Sequence, residues 1–210
     1  MGRLITIEGL DGAGKTTLAA GLVQELRSRG VRAHLLREPG GVVLAERIRK
    51  VVKDPSLRVG ARAEALLYAA ARAQLVEEAV RPLLEADAWV VLDRFLDSSL
   101  VYQGAGRGLG IDEVRAVNLF GTGGLAPDRT LLLRVDPGVG RSRQSGRGEA
   151  PDRLEREPDD FFAVIAAAYD AIAAAEPERV RVIDAAQSPE AVLSAALDAL
   201  ADLTAQAEPR

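Results

Sequence analysis

The segment "EGLDGAGKTT", Glu8–Thr17, is the part of the sequence that decides the fold. Gly9 is followed after four residues by Gly14, Lys15 and Thr16, which matches the phosphate-binding pattern G-x-x-x-x-G-K-[ST]. Glycines permit a positive φ and a close backbone approach, so successive N–H groups can point into one concavity. The pattern therefore predicts a loop that binds a polyphosphate.

The flanking sequence has the context that such a loop needs. The apolar run Leu4–Ile7 before it is β-prone, and Lys15–Arg29 after it has helical spacing. The positive end of that helix would favour the phosphates, Lys15 would reach the outer ones, and the Thr16 hydroxyl would bind Mg²⁺. An ordinary glycine-rich strand–helix turn is the alternative, and this context argues against it.

Short apolar runs alternate with longer helical stretches along the rest of the chain. This alternation indicates an α/β protein whose parallel sheet is covered by helices on both faces. The segment 140–157 is the one long irregular stretch, and residues 1–210 are expected to form one domain. The predicted strands are Leu4–Ile7, Ala33–Leu36, Trp89–Leu92, Thr130–Val135 and Val180–Ile183. The predicted helices are Lys15–Arg29, Val43–Val52, Arg62–Glu85, Ile111–Phe120, Phe161–Ala175 and Pro189–Ala205.

Composition excludes several kinds of chemistry. The chain has no cysteine, which excludes thiolate nucleophiles. His34 is its only histidine, so a Ser-His-Asp triad or a multi-histidine metal site is close to excluded. A formal charge of −4 is a poor basis for general nucleic-acid binding. No apolar run is long enough to cross a membrane and the N-terminus does not resemble a signal peptide, so a cytoplasmic location without a membrane partner is expected.

A second acid narrows the choice among phosphate-loop proteins. In "WVVLDR", Asp93 ends a buried strand, where its carboxylate would face the phosphate loop across the sheet edge. This position suits the coordination shell of a magnesium ion, although an aspartate can simply end a strand. The guanine-specific motif N-K-x-D is absent, which argues against a GTPase.

Two further stretches are typical of substrate-binding loops. "LLREPGG", Leu35–Gly41, places Arg37 and Glu38 at the ligand-binding edge of the sheet, and a charged turn without a ligand is the alternative. "DRFLDSSLVYQGAGRG", Asp93–Gly108, combines arginines with hydroxyl groups, a set that suits a second phosphate with a sugar or base beside it.

Tyr68 and Arg72 in "LLYAAARAQL" are four residues apart on a predicted helix, so they share one face. A ring for stacking would thus lie beside donors for a base carbonyl. The alternative is a core tyrosine and an arginine that extends to water.

Taken as an ordered set, "EGLDGAGKTT", "REPGG", "YAAARAQ", "DRF..SS..YQG.GR" and the arginine-rich segment resemble the thymidylate kinases. These enzymes convert dTMP and ATP to dTDP and ADP, and the resemblance extends from Leu4 to about Val192. It implies a three-layer P-loop NTPase fold with a five-stranded parallel sheet in the order 2-3-1-4-5, a Mg²⁺ cofactor and a homodimer. It also implies ATP and dTMP as substrates.

The resemblance assigns roles at the dTMP site. Tyr68 would stack on thymine and Arg72 would reach a thymine carbonyl, while Tyr102 would crowd the sugar 2′ position. Arg94 and Arg37 would contact the phosphate, and Asp11 would lie near the sugar 3′-hydroxyl. The full set expected to bind dTMP is Asp11, Arg37, Glu38, Pro39, Tyr68, Arg72, Arg94, Ser98, Ser99, Tyr102 and Gln103.

The resemblance to the thymidylate kinases also assigns residues to the ATP and metal sites. Ala186 and Gln187, in "DAAQSPEA", correspond to the loop beside adenine, and Arg141 would help to anchor a lid. The metal ligands would be Thr16, Asp93 and Asp11. The full set expected to bind ATP is Gly9, Leu10, Asp11, Gly12, Ala13, Gly14, Lys15, Thr16, Thr17, Arg141, Ala186 and Gln187.

The segment 140–157 is expected to be a lid over ATP. In some thymidylate kinases the phosphate loop carries an arginine, whereas in the bacterial type that position is glycine, as Gly12 is here, and the lid supplies the arginine. Phosphoryl transfer needs positive charge on the transferring group. We therefore expect Arg143, Arg147 and Arg153 to include the catalytic lid arginines, with Lys15, Arg94 and Asp11 completing the catalytic set.

Two alternative functions stay open at this point. One is a kinase of another deoxynucleoside or nucleoside monophosphate, and the other is a non-catalytic P-loop regulator. Substrate preference would distinguish the first, and absent turnover despite ATP binding would indicate the second.

Overall fold

The computed structural model describes residues 1–145 and 151–205, and a five-stranded sheet lies at its centre. The strands are β1 Arg3–Gly9, β2 Ala33–Arg37, β3 Trp89–Asp93, β4 Arg129–Arg134 and β5 Val180–Asp184. They lie in the order β2-β3-β1-β4-β5, and each neighbouring pair is parallel. Both the parallel sheet and its order were predicted, and both are confirmed.

Helices connect the strands and cover both faces of the sheet. Two of the helical stretches continue as π-helical turns, at Val76–Val80 and at Leu100–Gly106. The helices are α1 Lys15–Ser28, α2 Val43–Lys53, α3 Ala61–Leu75, α4 Arg81–Glu85, α5 Leu96–Ser99, α6 Ile111–Thr122, α7 Pro137–Ser145, α8 Asp159–Ala175, α9 Pro189–Asp198 and α10 Ala201–Ala205.

Alternate residues of each strand enter two different hydrophobic clusters, because successive side chains of a strand point to opposite faces. Ile5 and Leu131 pack with α1 and α9 on one face. Leu4 and Leu132 pack with α8 on the other face. Both faces are therefore buried, which explains why the strands are continuous apolar runs rather than alternating ones.

The predicted helix Arg62–Glu85 is interrupted by a π-helical turn. Pro82 has no backbone N–H and its ring crowds the preceding turn, so the regular hydrogen-bond pattern cannot continue through it. The Arg81 N–H instead donates to the Val76 carbonyl, five residues earlier. The prediction of a single regular helix was thus wrong in detail, although the chain is helical from α3 through α4.

Two segments that the sequence suggested were loops are partly helical. Residues 96–106, inside the expected substrate loop, are helical because Leu96, Leu100 and Val101 are buried against the sheet. Residues 140–145 are the end of α7, so the segment 140–157 is not irregular throughout. The predicted helix Pro189–Ala205 is divided into α9 and α10.

Within residues 1–145 and 151–205, none of the helices is both long enough and apolar enough to cross a membrane.

Candidate active site

The phosphate-binding segment lies between β1 and α1, as predicted. Gly14 precedes the first residue of α1 with φ 94°, in the left-handed region that glycine adopts without strain. The Lys15 ammonium group donates to the carbonyls of Gly9 at 3.1 Å and Leu10 at 2.8 Å. The loop backbone therefore holds this ammonium beside the N-terminus of α1, where an anionic group would bind.

Gly12 is the position at which the loop contacts the segment that follows β4. Its φ is 81°, and a Cβ atom there would overlap the carbonyl oxygen of Gly140 in α7. A Cβ on Gly140 would in turn lie 2.8 Å from the Asp11 carbonyl oxygen. No larger residue fits between these two backbones, so an arginine at position 12 is incompatible with this packing.

Asp93 lies at the end of β3, directly across from the phosphate loop. The β1–β3 register places it opposite Ile7, and its Oδ2 accepts a hydrogen bond from Thr16 Oγ1 at 2.8 Å. Thr16 and Asp93 are thus brought together as the sequence predicted. Among the described residues no group of three or more His, Cys, Asp or Glu side chains could hold a metal ion by itself.

Arg94 follows β3 in the left-handed conformation, with φ 73°, which is unusual for a residue other than glycine. Its Nη2 donates to Asp11 Oδ1 at 2.6 Å and its Nη1 donates to Ser98 Oγ at 2.9 Å. The guanidinium also lies 5.2 Å from the centre of the Tyr102 ring. Side chains from three segments therefore fix this arginine in one orientation.

The charges around the phosphate loop are coupled. Burial favours the neutral form of Asp11, but the nearby Arg94 and Lys15 charges outweigh it and hold the pKa of Asp11 well below its ordinary value. Burial, reinforced by Arg94, lowers the pKa of Lys15 to about 8. Asp11 is therefore ionised at neutral pH, and an anionic ligand would favour the charged form of Lys15.

Arg72 is 2% exposed and makes hydrogen bonds with four protein groups. Its Nε donates to Glu38 Oε2 at 2.7 Å, and its Nη2 donates to the Phe95 carbonyl at 2.8 Å. Its Nη1 donates to Ser99 Oγ and to Asn118 Oδ1. Since a guanidinium has five N–H donors, one Nη2 hydrogen is left for a ligand.

A cavity of about 610 Å³ joins these parts and extends from the phosphate loop to β2 and α3. It brings together most of the residues expected to bind dTMP or the phosphates. The predicted site residues that line it are Asp11, Gly12, Gly14, Lys15, Thr16, Arg37, Glu38, Pro39, Tyr68, Arg72, Asp93, Arg94, Ser98, Ser99, Tyr102 and Gln103.

Other predicted residues lie outside that cavity. Gly9, Leu10 and Ala186 line a second cavity, of about 650 Å³, beside β4 and β5. Ala13 and Thr17 belong to the loop and α1 but line neither cavity. The Ala186 N–H and Gln187 Nε2 both donate to Asp184 at 2.9 Å, which fixes the shape of the loop after β5.

The predicted lid arginines do not share one environment. Arg141 pairs with Asp159 and lies over the Phe162 ring, and Arg143 donates to the Ala185 carbonyl at 3.0 Å. Arg147 lies outside the described residues.

Arg153 is directed to the opposite part of the site. Its Nη1 donates to the buried Glu64 carboxylate at 2.6 Å, and its Nε donates to the Val52 carbonyl at 3.0 Å. Glu64 also accepts hydrogen bonds from Gln103 and Arg107, so Arg153 belongs to a cluster on the α3 side of the cavity.

Sequence reasoning missed several lining residues, namely Arg49 and Lys53 from α2 and Asp152, Leu154 and Glu155 from the segment before α8. Lys53 pairs with Asp152 at 2.7 Å and thereby joins two segments about 100 positions apart. No local motif marks these residues, since their proximity arises only from the tertiary fold.

The fold and the site define a P-loop phosphotransferase. A phosphate loop with its lysine faces, across one cleft, a fixed arginine and a second polar pocket, which is the arrangement that transfer between two bound substrates requires.

Comparison with known proteins identifies the family. The thymidylate kinase family model matches residues 7–196. The chain is 50% identical over 186 residues to a thymidylate kinase of Halorhodospira halophila, covering 88% of this chain and 86% of that protein. It is 48% identical over 201 residues to one from Alkalilimnicola ehrlichii, covering 95% and 93%. The chain therefore belongs to the thymidylate kinase family.

A solved structure supports the same assignment. The structure of a thymidylate kinase from Ehrlichia chaffeensis superposes with a TM-score of 0.76 at 28% identity, covering 95% of this chain and 98% of that one. The likeness therefore extends over the whole fold.

The buried Glu38–Arg72 pair predicts a dependence of stability on pH. Burial raises the pKa of Glu38 from 4.5 to about 7 despite the Arg72 charge. Because the folded-state pKa is raised, the stability due to this proton is fully present below about pH 4.5 and is lost as the pH rises through 7. Relative to the Glu38→Gln variant, the free energy of unfolding should fall by about 3 kcal/mol over this range. Urea denaturation at a series of pH values measures it, and parallel curves for the two proteins would contradict it.

Proposed function

We propose that this chain transfers the γ-phosphoryl group of ATP to the phosphate of dTMP, forming dTDP and ADP. The observation that carries the proposal is the single cavity shared by the phosphate loop and the Arg94–Arg72 pocket. Membership of the thymidylate kinase family supports the same reaction.

The donor ATP would bind along the phosphate loop. Backbone N–H groups of the loop and the N-terminus of α1 would bind the phosphates. Lys15 would move from the Gly9 and Leu10 carbonyls to the outer phosphates of ATP. Ala186 and Gln187 would lie beside adenine, in the loop that Asp184 shapes.

The phosphate of dTMP would bind at Arg94. Asp11, Ser98 and Tyr102 occupy Nη2 and one Nη1 hydrogen, so Nε and the other Nη1 hydrogen have no partner among the described residues. Each of these two donors would bond an oxygen of a phosphate, on a guanidinium that its other contacts hold in place. Arg37 would add charge from the end of β2, once released from Glu46, with which it pairs at 3.0 Å.

The thymine base would lie between Tyr68 and the Arg72 group. The remaining Nη2 hydrogen of Arg72 can donate to a carbonyl. Ser99, which accepts from Arg72 Nη1, and Gln103 line the same cavity. The 5%-exposed Tyr102 would fill the space near the sugar 2′ position and so favour a deoxyribose.

Magnesium would bind next to the phosphate loop. The Thr16 hydroxyl and the Asp93 carboxylate lie 2.8 Å apart, and oxygen ligands of this kind suit Mg²⁺, which usually takes one or two from the protein and the rest from phosphates and water. Asp11 is the third candidate oxygen, although it already pairs with Arg94. When bound, Mg²⁺ would neutralise charge on the phosphate oxygens.

The segment 140–157 would act as a lid that supplies the charge missing from Gly12. The close packing of Gly12 on Gly140 joins the start of this segment to the phosphate loop, so Arg141 and Arg143 follow directly beside it. Charge on the equatorial oxygens and exclusion of water are the two effects that such a lid contributes.

The lid proposal predicts a large effect on turnover. Replacing Arg143, Arg147 and Arg153 singly by alanine should lower kcat about 10³-fold in at least one variant, since a catalytic arginine contributes about that much. Steady-state kinetics at saturating ATP and dTMP measure the change. Arg156→Ala is the matched control, because this arginine lies in the same segment and donates to the Pro151 carbonyl. Near-normal kcat in all three variants would contradict the proposal.

The reaction itself is tested by substrate preference. An ADP-release assay should show faster turnover, by kcat/KM, with dTMP than with dUMP, dCMP or thymidine. Equal rates would favour a kinase of another nucleoside or nucleotide. Tight ATP binding without turnover of any of them would favour a P-loop regulator.

We also propose that the chain forms a homodimer through the outer surface of α3 and α6. These two helices pack against each other and expose large apolar side chains. Phe120 is 91% exposed and Leu66 is 57% exposed, and Leu119 lies beside Phe120. Large exposed apolar side chains grouped in this way are typical of an association surface.

A charge on this surface should separate the subunits. Phe120→Glu should convert the dimer to a monomer, as measured by sedimentation velocity at micromolar concentration. Val164→Glu, on the exposed side of α8, is the matched control and should leave the dimer intact. A monomeric wild-type protein, or a Phe120→Glu variant that remains dimeric, would refute this interface.

A further inference from the structure

Glu8 is a fully buried carboxylate that precedes the phosphate loop by one residue. Two backbone N–H groups donate to its Oε1, from Phe95 at 2.8 Å and from Ser98 at 3.2 Å. Two hydroxyl groups donate to its Oε2, from Ser98 at 2.6 Å and from Tyr169 at 2.8 Å. None of the roles assigned above involves Glu8.

The groups around Glu8 are matched to an ionised carboxylate, since all four donate and none accepts. Burial and the nearby Asp97 charge raise the pKa of Glu8. The Arg94 charge and the hydrogen bonds from Ser98 and Tyr169 act in the opposite direction. The charged form of Glu8 therefore depends on these donors.

A short chain of hydrogen bonds joins Glu8 to Arg94. Ser98 Oγ accepts from Arg94 Nη1 at 2.9 Å and donates its single hydrogen to Glu8 Oε2. The direction of both bonds is fixed, because the guanidinium can only donate and the carboxylate can only accept. One end of Arg94 is thus oriented by Glu8 through Ser98, as the other end is oriented by Asp11.

Glu8 also stabilises the backbone at Arg94. The φ of 73° at Arg94 is an unfavourable conformation of the kind that persists only where the surroundings enforce it. The Arg94 N–H donates to the Ile7 carbonyl at 3.0 Å, and the next N–H, of Phe95, donates to Glu8. Adjacent residues of β1 therefore hold both peptide groups of the turn.

We propose that Glu8, supported by Tyr169 from α8, is a positioning residue that sets the orientation of Arg94 for the acceptor phosphate. This inference rests on the proposed function, because Arg94 is taken there to bind the phosphate of dTMP. Glu8 itself is fully buried and lines neither cavity, so it would act on the substrate only through Arg94. Its effect should appear in the affinity for dTMP and not in the affinity for ATP.

The experiment compares three variants with the wild-type protein. Glu8→Gln keeps the shape and removes the charge. Tyr169→Phe removes one donor from a residue that lines the second cavity and not the acceptor cavity, so its effect on ATP affinity is measured alongside its effect on dTMP affinity. Thr6→Val is the matched control, because Thr6 lies two positions earlier on the same face of β1 and makes a buried hydrogen bond to Thr130 at 2.8 Å. The KM for dTMP, the KM for ATP and kcat are measured for each, and dTMP affinity is measured by calorimetry.

We expect Glu8→Gln to raise the KM and Kd for dTMP about tenfold, because a hydrogen bond to a charged group is lost and Arg94 loses its fixed orientation. Tyr169→Phe should raise them about threefold. The KM for ATP should stay within about twofold in both, and Thr6→Val should change neither affinity. Differential scanning calorimetry establishes that each variant is folded.

A folded Glu8→Gln variant with unchanged dTMP affinity, or with equal losses for ATP and dTMP, would overturn the proposal. If Glu8→Gln does not fold, Tyr169→Phe decides: a selective loss of dTMP affinity supports the proposal, and unchanged affinity overturns it. Wild-type turnover of dTMP tests the proposed function separately, since calorimetric binding does not require turnover.

Discussion

Strand β1 pairs with β3 so that Ile7 lies opposite Asp93, and the arrangement of the cleft depends on this register. One residue further, the Arg94 N–H bonds to the Ile7 carbonyl and the Phe95 N–H bonds to Glu8. The end of β3 is thereby fixed beside the phosphate loop. A shift of one residue would turn each side chain of β3 to the opposite face of the sheet and move Asp93 away from Thr16.

The phosphate loop and the segment after β4 form a second fixed contact. Gly12 and Gly140 approach so closely that neither position has room for a side chain pointing at the other. A positively charged side chain therefore cannot occupy position 12, and the first arginine after Gly140 is the next residue, Arg141. The absence of charge in the loop and the arginines beyond it are therefore two aspects of one packing arrangement.

Much of the fold could be predicted from the sequence. Buried parallel strands must be continuous apolar runs, so the five strands were visible, and the spacing of Gly9, Gly14 and Lys15 was enough to place the phosphate loop. The helix at residues 96–106 was not visible, because its glycines and hydroxyl residues are also typical of a loop and its apolar side chains are too few to show a period.

Several residues of the site could not be predicted from the sequence for a different reason. Lys53 and Asp152 become neighbours only through the tertiary fold, and the sequence gives no local sign of this pair. Glu8 lies at the edge of the phosphate motif, and the motif assigns it no role. Its importance comes from donors in two distant segments, Ser98 and Tyr169, and a single sequence does not show such proximity.

Arg94, fixed at the end of β3, is proposed to bind the phosphate of the acceptor. Isothermal titration calorimetry of dTMP and thymidine, with the wild-type protein and with Arg94→Ala, tests it most directly. Wild-type protein should bind dTMP at least about tenfold more tightly than thymidine, because two charged hydrogen bonds are made to the phosphate. Arg94→Ala should remove most of this difference. Equal dTMP affinity in the two proteins would contradict it.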